Sequence, residues 1–185
     1  GVAGLVLGSV AVMLAARGAC PVVIVRGNRD ETDGGPVVVG IDGSPVSEAA
    51  VAFAFEAAAA RGVALVAVHA WSSTAIDDAL GPFMDWDAVA VDEDAVLAER
   101  LAGWGQKYPP VPGRPHAVGD GAAPALVALS RGAQLVVVGS RGRGNATGLL
   151  LGSVSHGVLH GAHCPVAIVR PGTDAGSRAL RPGGR

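Results

Sequence analysis

The stretch Leu135-Val136-Val137-Val138-Gly139-Ser140-Arg141-Gly142-Arg143-Gly144-Asn145 joins an unbroken apolar run to a basic, glycine-rich turn. A short apolar run bounded by turn residues reads as a strand buried on both faces. After the turn, Gly152-Ser153 opens a stretch with helical spacing that continues to Gly161. A buried strand, a loop and then a helix form the repeating unit of a parallel α/β sheet.

The same alternation extends back to Pro36 and on to Arg170. Pro36 to Asp42 is a buried strand. Ser44-Pro45 supplies an N-cap and a first-turn proline for a helix that runs to Arg61, and Gly62 stops it. Val63 to Ala70 is a second strand. Trp71 to about Asp87 shows no period and reads as a loop, and Ala88 to Lys107 reads as a helix. Val111 to Val118 is a weaker strand that Pro112 and Pro115 push to an edge. Ala122 to Arg131 is a short helix, and Pro165 to Arg170 is the last strand. The fold class expected is α/β: an open parallel sheet with helices on both faces.

The first residues echo the last ones. Gly4-Leu5-Val6-Leu7-Gly8-Ser9-Val10 returns as Gly148-Leu149-Leu150-Leu151-Gly152-Ser153-Val154. Cys20-Pro21-Val22-Val23-Ile24-Val25-Arg26 returns as Cys164-Pro165-Val166-Ala167-Ile168-Val169-Arg170, at the same offset of 144 and without a gap. Internal repetition of this kind marks copies of one unit. Residues 1–26 therefore read as the last helix and strand of a preceding copy. Residues 27–35 read as a linker, 36–170 as a complete domain and 171–185 as a flexible tail. The uncharged run Gly1 to Ala16 is short for a membrane span and lacks the basic segment of a signal peptide.

Composition narrows the function. The chain has 185 residues, half of them hydrophobic and 16% charged, with a formal net charge of −2. That is enough apolar material for a large core, and it offers no basic field for nucleic acid. No membrane partner is expected. Cys20 and Cys164 fit neither a disulfide framework nor a zinc pattern, and two reduced, buried thiols in a cytoplasmic protein are expected.

In parallel sheets of this type, ligands sit beyond the carboxyl ends of the strands, where the winding direction reverses. Two loops there carry usable chemistry: Gly40 to Ser44 and Gly139 to Gly152. Glycines at 139, 142, 144 and 148 permit sharp turns with bare N–H groups, which make an anion cradle. The following helix start adds unpaired donors and a partial positive charge. Ser153 adds a hydroxyl, and Arg141 and Arg143 add full charges. The set suits a polyphosphate. With no lysine in the loop it is not a Walker loop, and the dinucleotide spacing after the first strand is missing. Asp42, ending a strand before Gly43-Ser44, reads equally as a turn former and as a ligand contact.

The pattern Gly139, two residues, Gly142, nine residues, Gly152-Ser153 resembles the ATP-binding signature of the universal stress protein family. The resemblance extends over Val38-Val39-Gly40-Ile41-Asp42-Gly43-Ser44-Pro45-Val46-Ser47, over Leu65-Val66-Ala67-Val68-His69-Ala70 and over His163-Cys164-Pro165-Val166-Ala167-Ile168-Val169-Arg170. It implies a five-stranded parallel sheet, order 3-2-1-4-5, of the adenine-nucleotide alpha-hydrolase-like kind, with ATP between the ends of its first and fourth strands. Carried over by position, Gly40 and Asp42 would border adenine and ribose, and the backbone of Val68 would touch adenine. Gly139, Ser140, Arg141, Gly142, Arg143, Gly144 and Asn145 would wrap the ribose and phosphates. Gly152, Ser153 and Val154 would hold the phosphates, with Mg2+ able to accompany them. Two departures stand out. Gln134 replaces a frequent Asp, and Asn145-Ala146 replaces Gly plus an aromatic.

Other constellations carry less. His156 and His160 have helical spacing for a metal but lack the glutamate of a zinc protease. No nucleophile elbow supports a hydrolase triad. Asp85 to Glu99 reads as a solvated helix face. The function expected is an ATP-binding regulator of stress or energy state with at most slow hydrolysis. The alternative is a dimerisation or partner-binding scaffold in which nucleotide is incidental. In that alternative the last strand, 165–170, is an edge that self-associates or pairs with 21–26.

Overall fold

The computed structural model describes residues 8–25, 34–71, 86–119, 121–142 and 151–170, with backbone only at 86 and 87. Of the loop expected from Trp71 to about Asp87, Trp71 belongs to a strand and 86–87 to a helix, while 72–85, most of the linker and the tail at 171–185 lie outside the described residues.

In chain order the elements are α1 (Ser9–Arg17), β1 (Val22–Ile24), β2 (Val37–Ile41), α2 (Pro45–Arg61) and β3 (Leu65–Trp71). Then come α3 (Trp86–Lys107), β4 (Gly113–Gly119), α4 (Ala122–Leu129), β5 (Leu135–Gly139), α5 (Ser153–Gly161) and β6 (Val166–Val169). A short 3-10 turn, Ser130–Gly132, replaces the last residues expected of α4. Local chemistry sets the ends of α2. Ser44 Oγ accepts the Ser47 N–H at 3.2 Å, Pro45 occupies the first turn, and Gly62 closes the helix with φ 65°.

The sheet has six strands in the order β1-β6-β5-β2-β3-β4 and is mixed. This corrects the expectation of five parallel strands. β2 to β6 do run parallel, in the order β4-β3-β2-β5-β6, but β1 adds an antiparallel sixth strand on β6. The cause lies in the repeat. Val22 faces Ile168, Val23 faces Ala167 and Ile24 faces Val166. At the offset of 144, Val23 and Ala167 are equivalent positions, so the two copies of one strand meet about a pseudo-twofold axis through that pair.

Two apolar layers hold the sheet. On one face α2 and α3 bury Phe55, Leu97 and Leu101 against Val37, Val39, Leu65 and Val137. There Phe55, Trp104 and Tyr108 form a three-ring cluster, with the Phe55 centroid 5.8 Å from Trp104 and 5.7 Å from Tyr108. On the other face Leu126, Val158 and Leu159 of α4 and α5 cover Val38, Val136, Val138 and Ile168. Ala15 and Ala16 of α1 join this second layer. Of the two thiols expected to be buried, Cys164 is, but Cys20 is exposed. It lies in the turn between α1 and β1, outside both layers.

The outer edge of β4 is blunted. The Ala117 N–H donates to Asp94 Oδ1 of α3 at 2.6 Å, and Pro115, of the same parity, has no N–H to offer.

Candidate functional site

The switch in winding falls between β2 and β5. From β2 the chain winds towards β3 and β4, and from β5 towards β6. The β2–β5 ladder ends at Val39 and Val137, so the strand ends part and leave a cleft. A cavity of about 420 Å³ occupies it. Small-molecule sites are typically ~300–1,000 Å³.

Nine of the residues expected at the site line this cavity: Gly40, Asp42, Val68, Gly139, Arg141, Gly142, Gly152, Ser153 and Val154. Ser140 does not. It is fully buried, its N–H donates to the Val169 carbonyl at 2.6 Å, and its own carbonyl accepts the Gly152 N–H at 2.9 Å. Its role is to tie the end of β5 to the start of α5. Arg143, Gly144 and Asn145 lie outside the described residues.

The glycines answer to close approaches. A Cβ on Gly142 would strike Asp42 Oδ2, so the loop after β5 and the end of β2 are in direct contact. A Cβ on Gly139 would stand 2.9 Å from Val46 Cγ1, and one on Gly152 3.3 Å from the Arg141 Cα. At Gly40 the same atom would meet Leu126 Cδ1 at 3.1 Å. Asp42 is the turn former expected, with Oδ1 accepting the Ser44 N–H at 2.9 Å, and it also lines the cavity.

Helix α5 starts at Ser153 with no side chain capping it. The first amides of a helix have no intrahelical acceptor. Those of Ser153, Val154 and Ser155 belong to residues of the cavity wall. The wall is thus mixed. Val68, Leu126, Val138 and Leu151 give it apolar surface, and Asp42, Arg141, Gly142 and residues 152–155 give it polar groups.

Sequence reasoning missed Ser155, Ser47 and the α4 wall. Ser155 is 2% exposed, and its Oγ donates to the carbonyls of Gly139 at 2.8 Å and Ser140 at 3.2 Å. The signal was a serine on the helical stripe that continues with Val158 and Leu159. Ser47 is buried and donates to the Ser44 carbonyl. Ala122 and Leu126 reach the cavity as ordinary apolar residues, which no motif marks. His156 and His160 sit with ring centroids 4.4 Å apart on the exposed side of α5. Among the described residues no three or more metal-ligating side chains gather.

Residues 35–170 match the model of the Universal stress protein family. The chain is 50% identical over 167 residues to the universal stress protein Rv2005c of Mycobacterium tuberculosis, covering 89% of this chain and 56% of that one. It therefore spans about half the length of that relative. A universal stress protein from Archaeoglobus fulgidus superposes with a TM-score of 0.63 at 23% identity, over 91% of this chain and 56% of that one. A universal stress protein solved in complex with cAMP matches at 26% identity with a TM-score of 0.55, over 75% of this chain and 98% of that one. A family match that runs from the approach to β2 to the end of β6, and so includes every strand bounding the cavity, means that the chain belongs to the universal stress protein family.

Proposed function

We propose that the cleft between β2 and β5 binds an adenine nucleotide, ATP, and that the domain is a nucleotide-dependent regulator of stress or energy state. One observation carries this reading. Asp42 and Gly142 touch in the wall of a cavity that also takes in the uncapped start of α5 and a set of apolar side chains. A base suits the apolar surface of Val68, Leu126 and Val138. Phosphates fit the amides and hydroxyl of Ser153 and the charge of Arg141. Arg143, Gly144 and Asn145 are proposed as further contacts to the ribose and phosphates, and Mg2+ can accompany the phosphates. The cAMP complex of a related protein lends support to a nucleotide in this fold.

Hydrolysis is at most slow. The Asp42 carboxylate is engaged by the Ser44 N–H, and the sole lysine, Lys107, lies over Trp104 and Tyr108 on α3. The described residues offer no lysine to the phosphates and no free base aimed at a water. A regulator needs only the binding step, because bound nucleotide changes the charge and shape of the sheet's carboxyl end. No described helix is long and apolar enough to cross a membrane, and the proposed setting is the cytoplasm.

A second reading is favoured by the β1–β6 pair: a scaffold that associates through last strands. Calorimetric titration with ATP, ADP and cAMP separates the two. The nucleotide reading expects saturable binding of ATP by the folded chain. A folded sample that takes up none of the three leaves the scaffold.

A further inference from the structure

His69 follows Val68 on β3, so strand alternation sends its side chain to the sheet face opposite the one Val68 serves. It is not one of the cavity's walls. Its ring nevertheless touches the frame of the site. His69 Nδ1 lies 2.9 Å from the carbonyl oxygen of Ile41. A carbonyl only accepts, so Nδ1 carries the hydrogen in this contact. On the far side of the ring, Nε2 is 3.6 Å from Glu93 Oε2 of α3.

The Ile41 carbonyl belongs to the peptide unit that ends in the amide of Asp42. Beyond Val39, β2 has lost β5 as a ladder partner and is paired only with β3. The peptide that launches Asp42 is therefore held by the β3 ladder alone, and the His69 ring adds a second donor to its carbonyl. Beyond it, Asp42 Oδ1 is held by the Ser44 N–H. The carboxylate then lies so close to Gly142 that even one added carbon would collide with it. A tilt of the 41–42 peptide by a few tenths of an ångström is felt at that contact.

We propose that His69 is a positioning residue of the nucleotide site: through the Ile41 carbonyl it sets where the Asp42 carboxylate meets Gly142. The proposal rests on the nucleotide reading for its functional meaning, but its structural part is measurable without ligand.

Two substitutions test it. His69→Asn keeps an amide N–H where Nδ1 stands, and His69→Leu keeps bulk but removes the donor. Each is read by calorimetry with ATP, by the amide signals of Asp42 and Gly142 in a 15N–1H spectrum, and by thermal unfolding. His69→Leu should weaken ATP binding about fivefold to tenfold, the size expected for one neutral hydrogen bond, and should move both amide signals. His69→Asn should stay within about twofold of the parent, since the donor is restored. If His69→Leu does not fold, His69→Gln takes its place, because its longer amide reaches towards Nε2 and leaves the carbonyl without its side-chain donor. A folded donor-free variant with parental affinity and unmoved Asp42 signal overturns the proposal. So does His69→Asn falling as far as the donor-free variant. If the parent itself binds no ATP, the nucleotide reading fails, and the positioning claim stands or falls on the Asp42 signal alone.

Discussion

A methyl group on Gly142 would occupy the space of an Asp42 carboxylate oxygen, which makes this glycine the most demanding residue of the site. The demand is steric. Gly142→Ala must displace either the loop or the carboxylate, and overpacking of this kind costs ~1–3 kcal/mol. ATP affinity should fall about tenfold or more, since 1.4 kcal/mol is a factor of ten, and the melting temperature should drop by several degrees. Adding Asp42→Gly removes the collision, so calorimetry and thermal melts should show stability returning without affinity. Most of the polar wall residues were legible in the sequence, because glycine spacing and a serine at a helix start have direct backbone meaning. Ser155 was not. A serine on an apolar stripe reads as a small core residue until its acceptors, Gly139 and Ser140, are seen beside it.

Between helices, the width of the cavity is set by how closely α4 approaches α5. A Cβ on Gly161 would stand 2.9 Å from Val127 Cγ2, and one on Gly157 3.0 Å from the Ala123 Cβ. Ala123 and Val127 form one row of α4, and the adjacent row, Ala122 and Leu126, lines the cavity. Gly161→Ala brings a helix-propensity gain below the ~1 kcal/mol of a helix interior, since Gly161 is the last residue of α5. It also brings a clash with a β-branched side chain that has little rotamer freedom in a helix. The clash is expected to win, pushing α4 outward and weakening ATP binding about fivefold. Val127→Ala in the same chain deletes the clashing atom and should restore affinity, while Val127→Ala alone should leave it near the parental value. Equal affinity in all four proteins would show that the helix spacing does not govern the cavity. The α4 wall was invisible in the sequence because apolar periodicity says which face is buried, not which neighbour it meets.

For the molecule as a whole, the strands were readable because buried strands are continuous apolar runs, and β2, β5 and β6 are such runs, while β3 is one up to His69. The sixth strand and its antiparallel direction were not. The repeat identified residues 21–26 as a second copy of the last strand, but antiparallel attachment within one chain follows from the symmetric register, which only the structure shows. The register leaves β6 covered on both sides and places Ala15 and Ala16 over the layer that contains Val166 and Ile168. Removing residues 1–26 should bare the outer edge of β6 and the apolar surface beneath α1. Light scattering should then show concentration-dependent association that the parent chain lacks. A truncated chain that stays monomeric, with an unchanged melting temperature, would show that β1 contributes nothing to the sheet.

The account depends most on nucleotide entering the cleft between β2 and β5. The direct measurement is a 15N–1H spectrum of the intact chain during titration with ATP and Mg2+. Saturable shifts concentrated at Gly40, Asp42, Gly139, Gly142, Gly152 and Ser153, with α3 and the β4 edge unmoved, are the expected result. A folded protein whose spectrum does not change at millimolar ATP, or whose shifts gather away from these residues, would contradict it.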